Sequence, residues 1–151
     1  MQNKVHDYVE NQVKMKDIKG KCLDIGSLDV NGTLKDLFDD YLGMDMRDGK
    51  NVDVIANSHD IPFEDGSFDI VTCVEMLEHD DDPFQTMKEI HRVLRDGGWA
   101  IIAASGINFP KHDYPSDYFR YTSEGMGVLL KKFNDVETKS DENEAYGVGK
   151  K

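Results

Sequence analysis

Apolar positions along the chain follow two rhythms. Val5, Val9 and Val13 recur every four residues through a polar stretch, which predicts an amphipathic helix over residues 4–17, stopped by Gly20. Short apolar runs bounded by Gly, Asp and Pro follow it. They predict strands at Lys21–Ile25, residues 41–45, residues 52–56, Phe68–Val74 and residues 99–104. A short helix is expected over residues 33–38 with Asn31 as its cap. A stronger helix starts behind Asp82, with Pro83 in its first turn, Phe84, Met87, Ile90 and Leu94 on one face, and Gly97 and Gly98 after it. Thr122 or Ser123 caps another helix carrying Met126, Leu129 and Leu130, and two β-like runs, residues 135–139 and 145–150, flank an acidic stretch. Strands alternating with helices predict an α/β architecture, a mostly parallel central sheet with helices on both faces.

One connection departs from that pattern. Residues 46–51 alone separate the second and third predicted strands, whereas a parallel crossover needs about a dozen residues or more. Six extended residues reach about 20 Å, so this link is expected to cross in extended form, without a helix. Part of one sheet face is then bare, and a bare face of that kind leads us to expect a homodimer.

The chain has 151 residues and no internal repeat, which suits one domain over residues 1–151. With 38% hydrophobic and 32% charged residues it can bury a core and stay soluble, and its longest apolar run is far short of a membrane span. The first dozen residues carry no apolar signal region, and Cys22 and Cys73 both lie in apolar runs, so a reduced, cytoplasmic protein is expected. Lys and Arg total 18 against 30 Asp and Glu, a formal charge of −12. Such a surface repels phosphate backbones, no cluster of Lys or Arg offsets it, and a nucleic-acid partner is disfavoured.

Candidate chemistry gathers where strands meet their following loops, the edge at which α/β sheets bind ligands. The segment LDIGSLDVNGT places Gly26 after the first strand; Leu28 and Asn31 occupy the other glycine positions of a dinucleotide fingerprint, which argues against a nicotinamide-dependent oxidoreductase. Asp45, at the end of the second strand, is placed to accept hydrogen bonds from both hydroxyls of a ribose. The polar loop NSHDIPF follows the third strand, and CVEMLEHDDDP brings Glu75, Glu78 and His79 to the end of the fourth.

Taken in order, LDIGS, GMDMR, ANSHDIPFEDGSFDIVTCVEMLEH and DPFQTMKEIHRVLRDGGWAII resemble the class I S-adenosylmethionine-dependent methyltransferases, especially the compact group acting on small molecules. The resemblance runs from Lys21 to Ile102 and implies the Rossmann-like fold of that class, here in a minimal version lacking the helix between strands two and three. It implies S-adenosylmethionine as cofactor, with Asp24, Gly26 and Ser27 at the first turn and Asp45 on the ribose. It also implies Met46 against the adenine, Asn57 and Ser58 at the adenine edge, and Val74 and Glu75 beside the methionine portion. Leu28 stands where the family has a second glycine.

For the transfer itself His79 is the expected base, with a capping or packing histidine as the alternative. The E-x-x-E-H spacing of Glu75, Glu78 and His79 also suits a divalent ion shared with His112, but no metal ligand is assigned. Residues 107–122 follow the fifth strand, where the family builds its acceptor wall. Tyr114, Tyr118, Phe119 and Tyr121 form either an apolar lid or a packed surface loop, with His112, Tyr118 and Arg120 as the expected acceptor contacts and Arg120 suited to an acidic group. The reading is a methyltransferase for a small-molecule or glycan-type acceptor. The alternative is a non-catalytic or partner-dependent binding module on the same fold.

Overall fold

The computed structural model describes residues 3–30, 32–113 and 115–151. In chain order they form α1 (Asn3–Met15), β1 (Lys21–Ile25), β2 (Asp40–Asp45), β3 (Val54–Ile55), β4 (Phe68–Val74), α2 (Pro83–Val93), β5 (Leu94–Ser105), α3 (Ser123–Leu129), β6 (Asn134–Ser140) and β7 (Glu144–Lys150). The strands build one sheet of order β3-β2-β1-β4-β5-β7-β6. β3, β2, β1, β4 and β5 run parallel, and the hairpin β6–β7 joins antiparallel along β5. This is the α/β, Rossmann-like architecture that the pattern and the family resemblance imply.

Helices cover both faces, because successive residues of the buried strands point opposite ways. Cys22, Ile70, Ile101 and Ala103 meet Val5, Tyr8 and Val9 of α1, together with Tyr146 and Val148. Their neighbours Leu23, Val71, Cys73 and Ile102 turn to the other face, under Met87, Ile90 and Val93 of α2 and Met126 and Leu129 of α3. Both cysteines are buried free thiols. Asp82 caps α2 by accepting the Gln85 N–H, and Thr122 caps α3 by accepting that of Gly125.

Three local expectations change. The helix over 33–38 reduces to a single 3-10 turn at Lys35–Leu37, since only Leu34 is buried there and so short a segment cannot sustain a helical nucleus. Its expected cap, Asn31, lies outside the described residues. Gly97 and Gly98 do not end α2; β5 starts at Leu94, and Gly97, at φ 82°, bends the strand where its register with β4 shifts. The third strand is only Val54–Ile55, paired parallel with Met44 and Asp45.

The link from β2 to β3 has no helix, as expected, but it is not extended. It curls through a turn in which the Val52 N–H donates to Gly49 O, and the Asp53 N–H returns to Gly43 O at 2.8 Å. The curl lies so close to β2 that a methyl group on Gly43 would stand 1.9 Å from Asn51 O and 2.6 Å from Ser27 Oγ. Gly43→Ala is therefore expected to cost about 1–3 kcal/mol by forcing the link and the loop after β1 apart, read as a lower urea midpoint with an unchanged slope.

Candidate active site

All five parallel strands end on one edge of the sheet, and beneath that edge lies a cleft of about 680 Å³. Its floor starts at the turn after β1. Gly26, at φ 79°, lets the chain bend so that the N–H groups of Gly26 and Ser27 both donate to Met44 O, at 2.8 and 3.1 Å. A Cβ at Gly26 would stand 2.9 Å from that of Met76, so the turn tolerates no side chain. Beside it Asp24 is buried, its carboxylate accepting from Tyr41 Oη at 2.6 Å and Thr72 Oγ1 at 2.7 Å. Burial outweighs those two donors and pushes the carboxyl up to about 6.

Asp45 joins the two loops that frame this end. One oxygen accepts the Arg47 N–H at 3.0 Å and the other that of Leu28 at 3.4 Å. Leu28, at the position where the family carries glycine, lies over Gly49 in the curled link, whose added methyl would meet Leu28 Cδ1 at 2.3 Å. Ser27 Oγ donates to Asn51 O at 2.9 Å, and Lys50 pairs with Asp29 at 2.8 Å. The two departures from the family pattern thus occupy each other's space.

Met46 and Ser58 line the cleft next to Asp45, and Asn57 does not. The Asn57 side chain accepts the His59 N–H at 2.9 Å and shapes the loop instead. Thr86 Oγ1 donates to Asp80 at 2.5 Å, so the 2.8 Å contact between Ser58 and Thr86 has Ser58 as donor, and Ser58 offers the cleft only an acceptor. Val74 and Glu75 close the floor. Glu75 sits at φ 52°, in the left-handed region that a side chain of its kind seldom enters, with its N–H bonded to Ala103 O at 2.8 Å.

The far end of the cleft holds Glu78, His79, Ser105, Phe109 and His112. A 3-10 turn, Leu77–His79, buries Glu78 and aims His79 across the cleft. His79 Nδ1 meets Ser116 O at 2.5 Å and His112 Nδ1 meets Pro110 O at 3.2 Å. A carbonyl only accepts, so both rings carry their proton on Nδ1 and, when neutral, present a bare Nε2. These Nε2 atoms stand 4.0 and 3.9 Å from Glu78 Oε1. Glu78 Oε1 accepts from Ser105 at 2.9 Å, while Oε2 is buried without a hydrogen bond. Burial raises the Glu78 carboxyl above its ordinary range. The three residues offer ligand atoms within 4.8 Å of one another, close enough to gather round a small cation. Glu75 stands outside that group.

Two expected acceptor contacts are elsewhere. Arg120 spends all five N–H groups inside its own loop, on Asp117 and on the carbonyls of Phe109, Pro110 and Phe119, so none remains for an acidic acceptor. Asp117, beside that guanidinium, is held well below the usual carboxylate range. Tyr118 is exposed and outside the cleft lining; its N–H donates to Glu78 O at 2.7 Å. Tyr121 is buried under the sheet edge, donating to Leu77 O at 3.0 Å, so it packs rather than forming a lid, and Tyr114 lies outside the described residues. Phe109 and Ser105 line the site without having been anticipated. A strand running on to Ser105 would have announced the latter; Phe109 had no signal beyond its place in an aromatic-rich loop.

With this geometry in view, comparison with known proteins is direct. Residues 23–102, more than half of the chain, match the family described as a methyltransferase domain, and the chain belongs to it, within the class I S-adenosylmethionine-dependent methyltransferases. It is 38% identical over 86 residues to the demethylmenaquinone methyltransferase of Listeria welshimeri, covering 54% of this chain and 36% of that protein. It is 36% identical over 62 residues to the ubiquinone biosynthesis O-methyltransferase of Thiobacillus denitrificans, covering 40% of this chain and 27% of that one. The matched part is thus a minor share of each relative's length. The crystal structure of a protein from Pyrococcus horikoshii shares the fold at a TM-score of 0.75 and 16% identity, over 97% of this chain and 89% of that one. A methyltransferase structure from Methanosarcina mazei does so at 0.68 and 16%, over 99% and 98%. No helix among the described residues is long and apolar enough to cross a membrane.

Glu144, at the start of β7 and paired with Ser105, is buried, and neither of its oxygens has a hydrogen-bond partner. Burial first, then the like charges of Glu75, Glu78 and Asp141, against the single offsetting charge of Lys4, push its carboxyl from an ordinary 4.5 up to about 8. A folded value above the unfolded one means that the native state holds the extra proton, so this group's contribution to stability falls as the pH rises from about 4.5 to about 8. Glu144→Gln is expected to remove that part of the slope and to raise stability near pH 8 by on the order of 1 kcal/mol or more, checked by urea unfolding of both proteins near pH 5 and near pH 8.

Proposed function

We propose that the chain is an active S-adenosylmethionine-dependent methyltransferase of the cytoplasm, acting on a small-molecule acceptor. One observation carries this reading: the residues matching the family's cofactor motifs, all but Asn57, and a histidine with a bare ring nitrogen line the two ends of one continuous cleft. When bound, the cofactor supplies the activated methyl group, so the chain has to position the acceptor, exclude water and take up a proton. Asp45 holds the ribose hydroxyls through the lone pairs that its two backbone N–H partners leave open. Met46 covers the adenine face, and Ser58, fixed as an acceptor, faces its amino group, while Asn57 shapes the loop that presents Ser58. Gly26 and Ser27 bring backbone close to the methionine portion, with Asp24 bracing the turn from below. Val74 and Glu75 wall the same portion. His79, with Nδ1 tied to Ser116 O, presents Nε2 as the base.

The residues fit that cofactor in chemical kind, a carboxylate for a diol and an acceptor for an amino group beside apolar Met46 and Ala56. Titration calorimetry with S-adenosylhomocysteine, using NAD as the control, is expected to show saturable binding of the first and none of the second. Asp45→Ala is expected to weaken that binding by about 1–3 kcal/mol, roughly tenfold to a hundredfold. Wild-type affinity in the variant would remove Asp45 from the ribose, and absence of binding in the parent would leave a methyltransferase fold put to another use.

A further inference from the structure

The far end of the cleft is a wall of hydrogen-bond acceptors. Ser105 donates to Glu78, and both imidazoles donate through Nδ1 to backbone carbonyls. What they leave toward the cleft is two ring nitrogens and a buried carboxylate with one oxygen unpartnered. Among the described residues, no Lys or Arg lines this end of the cleft. Arg120 is saturated within its loop, and Lys111 is exposed beside Asp113. Arg47 sits at the opposite end, 3.6 Å from Asp45. Glu75 adds a further negative charge to the same edge of the sheet.

We infer that the acceptor is an amine, seated as its ammonium against Glu78, His79 and His112. This rests on the methyltransferase reading above and names the class of substrate that the site takes. An ammonium carries several donors and a positive charge, and the wall offers acceptors and negative charge. A carboxylate or phosphate acceptor meets no Lys or Arg in that lining and faces the Glu78 carboxylate instead, and is rejected. The spacing favours an ammonium over a metal ion. Atoms 3.9 and 4.0 Å apart subtend about 90° at a nitrogen placed at a hydrogen-bond distance of about 2.8 Å. At a zinc-like ligand distance of about 2.1 Å they would subtend about 140°, far from tetrahedral. In the transfer, His79 Nε2 takes one proton from the ammonium. The electron pair thus freed on nitrogen forms the new C–N bond to the methyl carbon, as the C–S bond of the sulfonium breaks and leaves its pair on sulfur.

The test is calorimetry on the protein saturated with S-adenosylhomocysteine, in buffer containing a chelator. The probes are phenyl-substituted alkylamines of three chain lengths, each matched with the carboxylate and the N-acetyl amide of equal length. We expect at least one amine to bind about tenfold or more tighter than its matched acid and amide. Glu78→Gln and His112→Gln are each expected to erase that preference while still binding S-adenosylhomocysteine, which also shows that the variants are folded. Acids that bind as well as amines, or a panel in which no amine binds, overturn the inference. So does Mn²⁺ binding, measured without chelator, that Glu78→Gln abolishes and amines do not displace. Failure of S-adenosylhomocysteine itself to bind is read separately; it overturns the cofactor reading, and this inference with it.

Discussion

Two amide protons share one carbonyl oxygen at the heart of this fold. The N–H groups of Gly26 and Ser27 both reach Met44 O, so the chain leaving β1 is folded over the end of β2. Everything at the working edge is placed by that overlap. It brings Leu28 within reach of the Asp45 carboxylate, sets the turn against Met76 after β4, and leaves room between β1 and β4 for a ligand. A side chain at Gly26 would separate these pieces, because the positive φ and the contact with Met76 exclude it together.

The same overlap explains how a shortened version of the fold holds its shape. A helix between β2 and β3 would ordinarily support the loop after β1 from outside. Here the curled link does so through main-chain and short side-chain contacts: Lys50 O accepts from Asp29 N, Asn51 O from Ser27 Oγ, and Leu28 rests on Gly49. Glycine at position 28 would leave that space unfilled, and a side chain at 49 would collide with Leu28. The two positions are one packing solution divided between two loops.

Periodicity made the fold legible to the degree that burial was two-sided. Phe68–Val74 and the start of α2 at Pro83 could be placed to the residue, since a fully buried strand and an N-capped amphipathic helix both write strong patterns; the end of α2 was expected at Gly97, but β5 already begins at Leu94. The link after β2 wrote none. Its shape depends on Gly43, Ser27 and Asn51 meeting across the fold, and no local pattern encodes such a meeting. At the site, Gly26, Asp45, Glu75 and His79 line the cleft at the strand ends where order and spacing put them, and Asp24, singled out by the family resemblance, lines it too. Arg120 was misread because a guanidinium in a sequence shows its charge and conceals its partners. Asp117, three residues earlier, is what consumes it. The polarity of His79 and His112 was equally hidden, since backbone carbonyls decide it, that of Ser116 reaching His79 from 37 residues on and that of Pro110 reaching His112 from two residues before.

The segment after β5 has a property that extends beyond this chain. It leaves the sheet at Gly106 and returns at Tyr121, and these two residues bridge each other, with the Tyr121 N–H on Ser105 O at 2.9 Å. Its ends therefore meet whatever lies between them. Closure entropy grows only slowly with length, about 0.6 kcal/mol for each doubling, so the segment can be lengthened, shortened or replaced at little thermodynamic cost to the sheet. Evolution can rewrite the wall that faces the acceptor as a detachable cassette, while the opposite end of the cleft, built from strand termini, stays under the constraint of the whole fold.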